Sequence, residues 1–464
     1  MEGYPSWWRG QFAKLIGCKS REGSSPSPSA KILKKKINSY ICNMEKLSHV
    51  GNNIVGSEII KISQQIKEIS KTRKVLNLTI GDFDSNINPI PEKLKDYIIE
   101  SYNENLTNYP LSAGQLNLRQ SVSEYLKKRQ GVEYSENEIL IGGGVRPLIY
   151  TIYKTLVNSG EGVIYPVPSW NNNHYSFLHG AVKQEIECTP ENSFFPTVKD
   201  IDMAINDNTS LICICSPQNP TGRVIDPEVL KGICDLIVNE NNVRANQVGS
   251  RPLYLFFDQI YSDLSVDGSF VHPLTLCPEI RDYLICVDGI SKSLCATGIR
   301  VGWAFGPQDI MGKMTEVFSH IGAWAPKPEQ NAVARYLNDY EDMTGFVTMK
   351  TRQYSEISTK ICDKIDELKE KGFRIDCQRP EGGIYISIYL GESLSFPNME
   401  IYTKFLIDRC SIGLVPFEYF GSKENKGWFR MSIGGVDPNN VDDILDTLTK
   451  LTYKSLEEVN SWCI

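Results

Sequence analysis

The segment VDGISKSLCATGIRVGWAFGP, residues 287–307, carries Lys292 and Arg300 between two short apolar runs. These runs are YLICVD (283–288) and VGWAFG (301–306), and each is typical of a buried strand. A lysine usually lies on a solvated surface. Cations in a segment that otherwise has the composition of an interior are therefore either incidental or placed to hold something anionic and reactive.

The same strand pattern recurs upstream of this segment, in four further apolar runs. They are EILI (138–141), GVIYPV (162–167), LICICS (211–216) and LYLFFD (253–258). Stretches with apolar residues at helical spacing separate most of the runs, which predicts an α/β fold with a mainly parallel sheet. After about residue 308, long helical stretches, a few short strands and helices at 398–409 and 437–450 predict a second, smaller α+β domain.

Composition limits the classes of protein to which the chain can belong. Its 464 residues exceed one simple core, and its net charge of −7 argues against a general nucleic-acid or anionic-membrane binder. No apolar run approaches the roughly 20 residues that a membrane span requires. The 13 cysteines include no CxxC pair, which indicates reduced thiols, and the five histidines form no pattern typical of zinc, so we expect no metal.

Two segments depart from the globular pattern. Residues 1–43 are rich in Ser, Pro and Lys, and we expect them to be disordered or a targeting extension before a second possible start at Met44. The stretch NENNVRANQVGSRP (239–252) has the composition of a loop insertion, to which we assign no function.

Polar residues follow the predicted strands where ligands of parallel sheets bind. Asn219 begins the turn NPTG, which is either a simple turn or a place where its amide donates to a ligand oxygen. Asp258 ends an apolar strand and precedes Tyr261 by three residues. This carboxylate either caps a helix or pairs with a cationic ring nitrogen.

Three further features have both a structural and a ligand-binding interpretation. LIGGGVRPLIYTIYKTL (140–156) is a strand, a glycine loop and a helix, an arrangement that can present backbone N–H groups to a phosphate. Trp170 is either a core residue or a ring that stacks on an aromatic ligand. Arg430, inside the predicted strand GWFRMSIGG, needs an anionic partner if it points inward.

Taken together, these residues resemble the class I/II aminotransferases, which are fold-type I enzymes that use pyridoxal 5′-phosphate. The resemblance covers about residues 75–450. Within the superfamily, SPQNPTG, ATGIRVGWAFGP and HIGAWAPKPEQ are most similar to bacterial-type aspartate aminotransferases. The resemblance to this family implies a seven-stranded, mainly parallel sheet with helices on both faces. The implied divisions are an N-terminal arm at 44–85, a large cofactor domain at 86–335 and a small domain at 336–464.

The resemblance also implies a role for each matching residue. Lys292, Asp258 and Tyr261 would be catalytic: the lysine would hold the cofactor aldehyde and move the substrate proton, and the carboxylate would hold the ring nitrogen. The residues implied to bind the cofactor are Lys292, Asn219, Asp258, Tyr261, Arg300, Gly144, Val145, Arg146, Trp170 and Tyr109. Those implied to bind the substrate are Arg430, Gly81, Trp170 and Asn219.

In this family pattern, Tyr109 reaches the phosphate of a neighbouring subunit, so the resemblance implies a homodimer with shared active sites. One departure is Gly289, where many members carry Ser or Thr three residues before the lysine. The expected reaction transfers an amino group from an L-amino acid, first aspartate, to a 2-oxo acid, first 2-oxoglutarate. No nucleic acid or membrane is expected as a partner.

Several alternatives stay open at this point. They are an aromatic or broad-specificity aminotransferase, a lyase of the same fold, a regulator that uses this fold as a sensor, and an inactive paralogue. Residues 1–74 are too short and too poorly patterned for a regulator's DNA-binding domain, and the intact Lys292 argues against an inactive paralogue. Lys327 is a candidate for binding a second substrate carboxylate, or a solvated lysine. We expect a cytoplasmic location, or an organelle if 1–43 is a transit peptide.

Overall fold

The structure is a computed structural model that describes residues 47–391 and 398–457. By its internal contacts the chain divides into a unit at 1–55, which contains helix α1 (His49–Asn53), and a unit at 56–464. The proposed extension at 1–43 lies outside the described residues. The predicted boundaries between an arm, a large domain and a small domain stay predictions.

The unit from residue 56 onward alternates helices and strands through most of its length. The helices are α2 (Glu58–Ile69), α3 (Glu92–Asn103), α4 (Leu116–Gln130), α5 (Val145–Leu156), α6 (Asn172–His179), α7 (Val198–Ala204), α8 (Pro227–Arg244), α9 (Pro273–Leu276), α10 (Ile290–Ser293), α11 (Gln308–Ile321), α12 (Lys327–Asn338), α13 (Tyr340–Glu370), α14 (Met399–Cys410) and α15 (Val441–Glu457). The strands are β1 (Leu76–Asn77), β2 (Ile139–Gly142), β3 (Gly162–Val167), β4 (Val182–Glu187), β5 (Thr209–Cys215), β6 (Tyr254–Asp258), β7 (Leu284–Gly289), β8 (Gly302–Phe305), β9 (Asp376–Gln378), β10 (Tyr385–Tyr389), β11 (Ile412–Gly413), β12 (Val415–Pro416) and β13 (Trp428–Ser432).

The main sheet has seven strands in the order β2-β8-β7-β6-β5-β3-β4. All neighbours pair in parallel except β8, which runs antiparallel to β2 and to β7. This confirms the predicted α/β class with a mainly parallel sheet. The carboxyl ends of β5, β6 and β7 lie side by side, and this is the place where such sheets bind ligands.

Side chains on successive residues of the central strands enter two different cores. In β5, Leu211 and Cys213 pack in one apolar cluster, whereas Ile212 and Ile214 pack in another. Because strand side chains alternate between the two faces, the sheet buries both faces under helices. Continuous apolar runs such as LICIC, rather than alternating ones, are the sequence consequence.

The seventh strand, β4, is not among the six apolar runs that the sequence pattern marks. Its sequence, VKQEIE, carries three charged residues, and its residues are exposed or half-buried. It lies at one edge of the sheet beside β3. Charged residues are common on edge strands because they discourage pairing with other chains, and they also hide such a strand from a search for apolar runs.

A second sheet belongs to the carboxyl-terminal part of the chain. Its four antiparallel strands are ordered β12-β13-β10-β9, and its core includes residues of α13, α14 and α15. The helices predicted at 398–409 and 437–450 run as α14 and α15. A two-stranded parallel pair joins β1 to β11, which places residues 78–81 beside this second sheet.

The prediction of a loop insertion at 239–252 is wrong for the first part of that range. Helix α8 continues to Arg244, whose Nη1 donates to the Thr209 carbonyl at 2.7 Å. The Asn241 side chain bonds the backbone of Leu253 in both directions. Polar side chains that satisfy neighbouring backbone groups look like loop residues in the sequence, although they hold the end of this helix.

No helix in the described part of the chain is long and apolar enough to cross a membrane.

Candidate active site

A cavity of about 670 Å³ opens where the carboxyl ends of the parallel strands approach the second sheet. Most of the residues singled out in the sequence line it. They are Gly81, Val145, Arg146, Trp170, Asn219, Asp258, Tyr261, Lys292, Arg300 and Arg430. Residues spread over 350 positions of the chain therefore meet at one place.

Lys292 enters the cavity from α10, the short helix directly after β7. Its Nζ donates a hydrogen bond of 2.7 Å to the Gly81 carbonyl and lies 5.9 Å from the centre of the Tyr261 ring. Burial lowers the pKa of Lys292 to about 8, although the Asp82 carboxylate opposes this shift. A lysine in this state has a far larger neutral fraction near pH 7 than one in water, as an amine nucleophile requires.

Asp258 enters from the end of β6. Its Oδ1 accepts a hydrogen bond of 3.1 Å from the Ile260 backbone N–H, so the carboxylate is held by its own turn. Burial raises the pKa of Asp258 to about 6, while the Ile260 N–H and Lys292 oppose the rise. The group is consequently an anion at pH 7, in a place where little water competes for it.

The glycine loop before α5 forms a cationic corner of the cavity together with Arg300. The Arg300 guanidinium donates to the Gly143 carbonyl at 3.0 Å and to the Thr297 carbonyl at 2.7 Å. Gly144 has a φ of +86°, and a Cβ there would lie 2.3 Å from Arg300 Nη2. Only a glycine therefore lets the arginine lie against the start of the helix.

A steric reason also explains why residue 289 is a glycine, where the family resemblance leads one to expect Ser or Thr. A Cβ at Gly289 would lie 2.8 Å from the Gly302 Cα in the neighbouring strand β8. A serine or threonine does not fit there without moving backbone. The close approach of β7 and β8 thus accounts for the departure.

Arg430 enters the cavity from β13 of the second sheet and is almost fully buried. Its Nη1 donates to Asn219 Oδ1 at 3.0 Å, and its Nη2 donates to the Thr79 carbonyl. Its Nε is buried and has no hydrogen-bond partner among the described residues. The guanidinium lies 4.6 Å from the centre of the Tyr385 ring. A buried cation with an unsatisfied N–H and no carboxylate partner is suited to an anionic ligand.

Tyr385 contributes to the site but was missed in the sequence. Its hydroxyl lies 2.8 Å from the Tyr261 hydroxyl, and a Cβ on Gly81 would lie 2.1 Å from its oxygen. The sequence shows Tyr385 only as one aromatic residue in the apolar strand YISIY, where a core position is the natural expectation. The tight contact also explains why residue 81 is a glycine.

Trp170 and Arg146 line the same side of the cavity. The Arg146 guanidinium lies 5.1 Å from the centre of the Trp170 ring, a cation–π distance. Trp170 is half-buried, so part of its ring remains available to a ligand.

A second missed contribution comes from α2 and the residue before it. Ser57, Ile59, Ile60, Ser63 and Gln64 line the cavity, while Ile62 and Ile66 on the other face pack against Ile407. The helical spacing in this region indicates an amphipathic helix but not what its second face covers. This wall carries no charge.

Three residues considered in the sequence do not line this cavity. Gly144 lies directly behind it, against Arg300. Tyr109 is 84% exposed and contacts Trp324, and Lys327 donates to Asn108 Oδ1 at 2.7 Å. The predicted roles of Tyr109 and Lys327 would therefore require a second subunit.

The donor set fits pyridoxal 5′-phosphate, a molecule with an aldehyde, a basic ring nitrogen and a phosphate. Lys292 would supply the amine for the aldehyde, and Asp258 would supply an anion for the ring nitrogen. Arg300 and the N–H groups that begin α5 would form an anion-binding corner for the phosphate. The buried guanidinium of Arg430, for which the described residues offer no carboxylate partner, would remain for the carboxylate of an amino acid.

Comparison with known proteins agrees with this donor set. The family model of the class I and II aminotransferases matches residues 73–448. An aspartate aminotransferase of Bacillus sp. (strain YM-2) is 28% identical over 384 residues, which cover 82% of this chain and 93% of that protein. A probable N-acetyl-LL-diaminopimelate aminotransferase of Bacillus subtilis (strain 168) is 27% identical and covers 87% and 96%.

Among solved structures, the fold is similar to an aspartate aminotransferase from Thermus thermophilus with maleate. The TM-score is 0.78 at 23% identity, and the match covers 88% of this chain and 100% of that one. At this identity the likeness shows the fold alone.

Proposed function

The chain belongs to the class I and II aminotransferases and is a transaminase that uses pyridoxal 5′-phosphate, and from that premise we propose that it transfers an amino group from L-aspartate to 2-oxoglutarate. The observation that carries the catalytic part of the proposal is the meeting of Lys292, Asp258 and Arg430 in one cavity. The choice of aspartate rests on the names of relatives at about 27% identity, and 2-oxoglutarate is the 2-oxo acid that the family resemblance implies.

Lys292 is the proposed nucleophile and proton carrier. When bound, the cofactor supplies the electron sink that makes the Cα proton of an amino acid removable. Lys292 Nζ takes that proton and returns it, which requires a pKa near the working pH. Burial lowers the pKa of Lys292 to about 8 and brings the amine into that range.

Asp258 is the proposed anchor of the ring nitrogen. With its pKa raised by burial to about 6, the carboxylate is ionised at pH 7 and holds a protonated nitrogen by charge and hydrogen bond. Trp170 would cover one face of the ring, and the centre of the Tyr261 ring lies 5.9 Å from Lys292 Nζ.

Arg430 is the proposed clamp for the substrate α-carboxylate. Its Nη groups are already held by Asn219 and Thr79, so the guanidinium is oriented before substrate arrives. A preoriented planar cation binds a carboxylate with less loss of side-chain entropy than a flexible lysine does.

The cationic side chains that line the cavity among the described residues are Arg146, Lys292, Arg300 and Arg430. Lys292 and Arg300 have a proposed role with the cofactor and Arg430 has one with the α-carboxylate, while Arg146, which the family resemblance assigns to the cofactor, lies over the Trp170 ring. The second carboxylate of aspartate would therefore need a cation from a second subunit, for which Lys327 is the candidate.

The uncharged wall of α2 favours a second candidate substrate class. Side chains such as Ile59 and Ile60 suit an apolar or aromatic amino acid without any further cation. A broad-specificity or aromatic aminotransferase is therefore the alternative. A lyase of the same fold would share the cofactor residues. It is distinguished from both kinds of aminotransferase because only an aminotransferase passes the amino group on to a 2-oxo acid.

A homodimer with shared active sites is part of the proposal. Tyr109 is 84% exposed and does not line the cavity of its own chain, which suits a residue that completes a neighbouring site. We also propose a reducing compartment, the cytoplasm first, because buried residues such as Cys213 and Cys286 are free thiols.

Borohydride reduction of the protein loaded with cofactor tests the catalytic assignment. Reduction attaches the cofactor permanently to the lysine that holds it, and peptide mass spectrometry then identifies that residue. We expect the label on Lys292. A label on another lysine would overturn the assignment, and the Lys292→Ala variant, treated in the same way, shows the background.

A further inference from the structure

Asp288 is a buried carboxyl group outside the cavity. It is the last residue but one of β7, four residues before Lys292, and is 3% exposed. A buried carboxyl group without partners is unfavourable by several kcal/mol, roughly, so its neighbours must account for it. Those neighbours come from the turn that carries two other proposed catalytic residues.

The partners of Asp288 connect two loops of the site. Its Oδ1 accepts from the Gly289 N–H at 2.7 Å, at the junction between β7 and α10. Its Oδ2 accepts from Ser262 Oγ at 3.2 Å and from Gln259 Nε2 at 3.1 Å. Gln259 and Ser262 lie on either side of Tyr261, in the turn that begins at Asp258.

A third element joins this network from the opposite side. Gln130, the last residue of α4, accepts from Gln259 Nε2 at 2.8 Å and approaches Asp288 Oδ2 at 3.5 Å. Gln259 is fully buried, and its Oε1 has no partner among the described residues. The polar groups behind the site thus converge on one carboxyl group rather than on solvent.

We propose that Asp288 is a positioning residue, which holds the turn at 258–262 and the junction at 288–292 at a fixed separation. The consequence is a fixed relation between Tyr261 and Lys292, whose Nζ lies 5.9 Å from the tyrosine ring centre. The inference rests on the proposed function, because it takes these two residues to act in the reaction.

An alternative interpretation gives Asp288 a general packing role. Packing alone, however, is met by any side chain of similar size, and it does not explain why backbone and side-chain donors from two catalytic loops meet on one group. The nearby Asp263 carboxylate has its own partners, Tyr125 Oη and Arg129. Asp263 is therefore engaged with other partners, and the two catalytic loops are joined through the hydrogen bonds of Asp288.

Asparagine is the conservative replacement. Burial, with a contribution from Asp263, raises the pKa of Asp288 to about 8, while the hydrogen bonds from Gln259, Gly289 and Ser262 oppose the rise. Asparagine has the same shape and no charge, and its oxygen still accepts from Gly289. The amide of Gln259 can turn to present its unsatisfied Oε1 to the new NH₂ group. Alanine has neither capacity.

The experiment compares four variants of the full chain, loaded with cofactor for the kinetics and free of it for the exchange measurement. They are Asp288→Ala, Asp288→Asn, the milder Ser262→Ala and the control Asn241→Ala. Asn241 is equally buried and hydrogen-bonded, but it lies on α8 and contacts Leu253 rather than the site. The measurements are kcat and KM, the melting temperature, and hydrogen–deuterium exchange of peptides that contain 258–262 and 288–292 without cofactor.

For Asp288→Ala we expect a fall in kcat of about 10- to 100-fold, with KM for the amino acid within about 2-fold, because Arg430 is untouched. Exchange should rise in both peptides together. The kcat of Asp288→Asn should lie within about 3-fold of that of the unmodified protein, and the kcat of Ser262→Ala should lie between those of the two Asp288 variants. Asn241→Ala should lower the melting temperature without lowering kcat.

Two results would overturn the inference: an unchanged kcat in folded Asp288→Ala, or faster exchange in only one of the two peptides. If Asp288→Ala fails to fold, Ser262→Ala decides by the same two measurements, with Asp288→Asn as the variant that should stay close to the unmodified protein. Exchange is measured without cofactor or substrate, so a failure of the proposed function, seen as no turnover in the unmodified protein, is distinguishable from a failure of this inference.

Discussion

Arg430 Nη1 donates a hydrogen bond of 3.0 Å to Asn219 Oδ1, and this bond joins the four-stranded sheet to the turn after β5 of the seven-stranded sheet. The cation and the amide come from positions 211 residues apart in the chain. Their contact sets the orientation of a buried guanidinium whose Nε lacks a partner among the residues that the structure describes. The proposed substrate clamp is therefore formed by the meeting of two sheets.

Replacing Arg430 by lysine should weaken substrate binding selectively. The variant keeps the charge but loses the planar pair of donors, and we expect KM for the amino acid to rise about 100-fold, from a loss of about 3 kcal/mol. Cofactor affinity should change by less than about 3-fold. Steady-state kinetics and a cofactor titration check this, with Arg352→Lys, an exposed residue, as the control. Equal losses in both affinities would mean that the carboxylate role is misassigned.

Replacing Lys292 by alanine should abolish turnover and leave the fold intact. The change removes both the nucleophile and the proton carrier, so we expect a loss of at least about 1,000-fold in kcat. Circular dichroism and the melting temperature show whether the fold persists. Lys313→Ala, which removes an exposed lysine paired with Glu316, should retain full activity. Undiminished turnover in the Lys292 variant would refute the mechanism.

Gly81→Ala should disturb the site through Tyr385. The added Cβ would lie 2.1 Å from the Tyr385 hydroxyl oxygen, so either the loop or the ring must move. We expect a loss of stability of about 1–3 kcal/mol and a lower kcat, because the Gly81 carbonyl also bonds Lys292. In Gly81→Ala/Tyr385→Phe the oxygen is gone and part of the stability should return. A double variant no more stable than Gly81→Ala would show that the strain lies elsewhere.

The rate at which the protein without cofactor takes up pyridoxal 5′-phosphate should depend on pH. Burial lowers the pKa of Lys292 to about 8, and only the neutral amine attacks an aldehyde. The rate should therefore rise about tenfold per pH unit below 8 and level off above it. Stopped-flow absorbance measures this. A rise that continues to pH 10 would show that the lysine has its ordinary pKa.

Reaction rates measured with a panel of amino acids should separate the two substrate classes, dicarboxylic and apolar. If a second subunit supplies a cation, aspartate and glutamate should react at least about 10-fold faster than phenylalanine and leucine, and Lys327→Ala should remove that preference. If the uncharged wall of α2 decides, the order should be reversed and Lys327→Ala should have no effect. Ile60→Ala should then lower the rate with the apolar amino acids.

Much of the fold was predictable because the central strands are buried on both faces and are therefore apolar throughout. The edge strand β4 was not, because its residues are exposed or half-buried and three of them are charged. The sequence predicts a loop for the part of α8 at 239–244, since the polar residues Asn241 and Arg244 satisfy backbone groups of neighbouring segments. Such pairing is a tertiary fact that the local sequence does not display.

In the site, the residues at the ends of the parallel strands were predictable as a group, because parallel strands have their carboxyl ends at the same edge of the sheet. Lys292, Asp258 and Asn219 accordingly line one cavity. Tyr385 and the α2 wall were not predicted, because their role depends on how the second sheet and α2 pack over that edge. Nothing in the strand YISIY distinguishes a core tyrosine from one that contacts Arg430.

The most direct test of the account is the absorbance spectrum of the purified protein with pyridoxal 5′-phosphate, first with one amino acid and then with one 2-oxo acid. We predict that the visible band of the bound cofactor disappears with an amino acid and returns with 2-oxoglutarate, with no other reagent present. The same cycle should fail in Lys292→Ala. A band that no amino acid in a full panel removes would contradict the assignment of this chain as a transaminase.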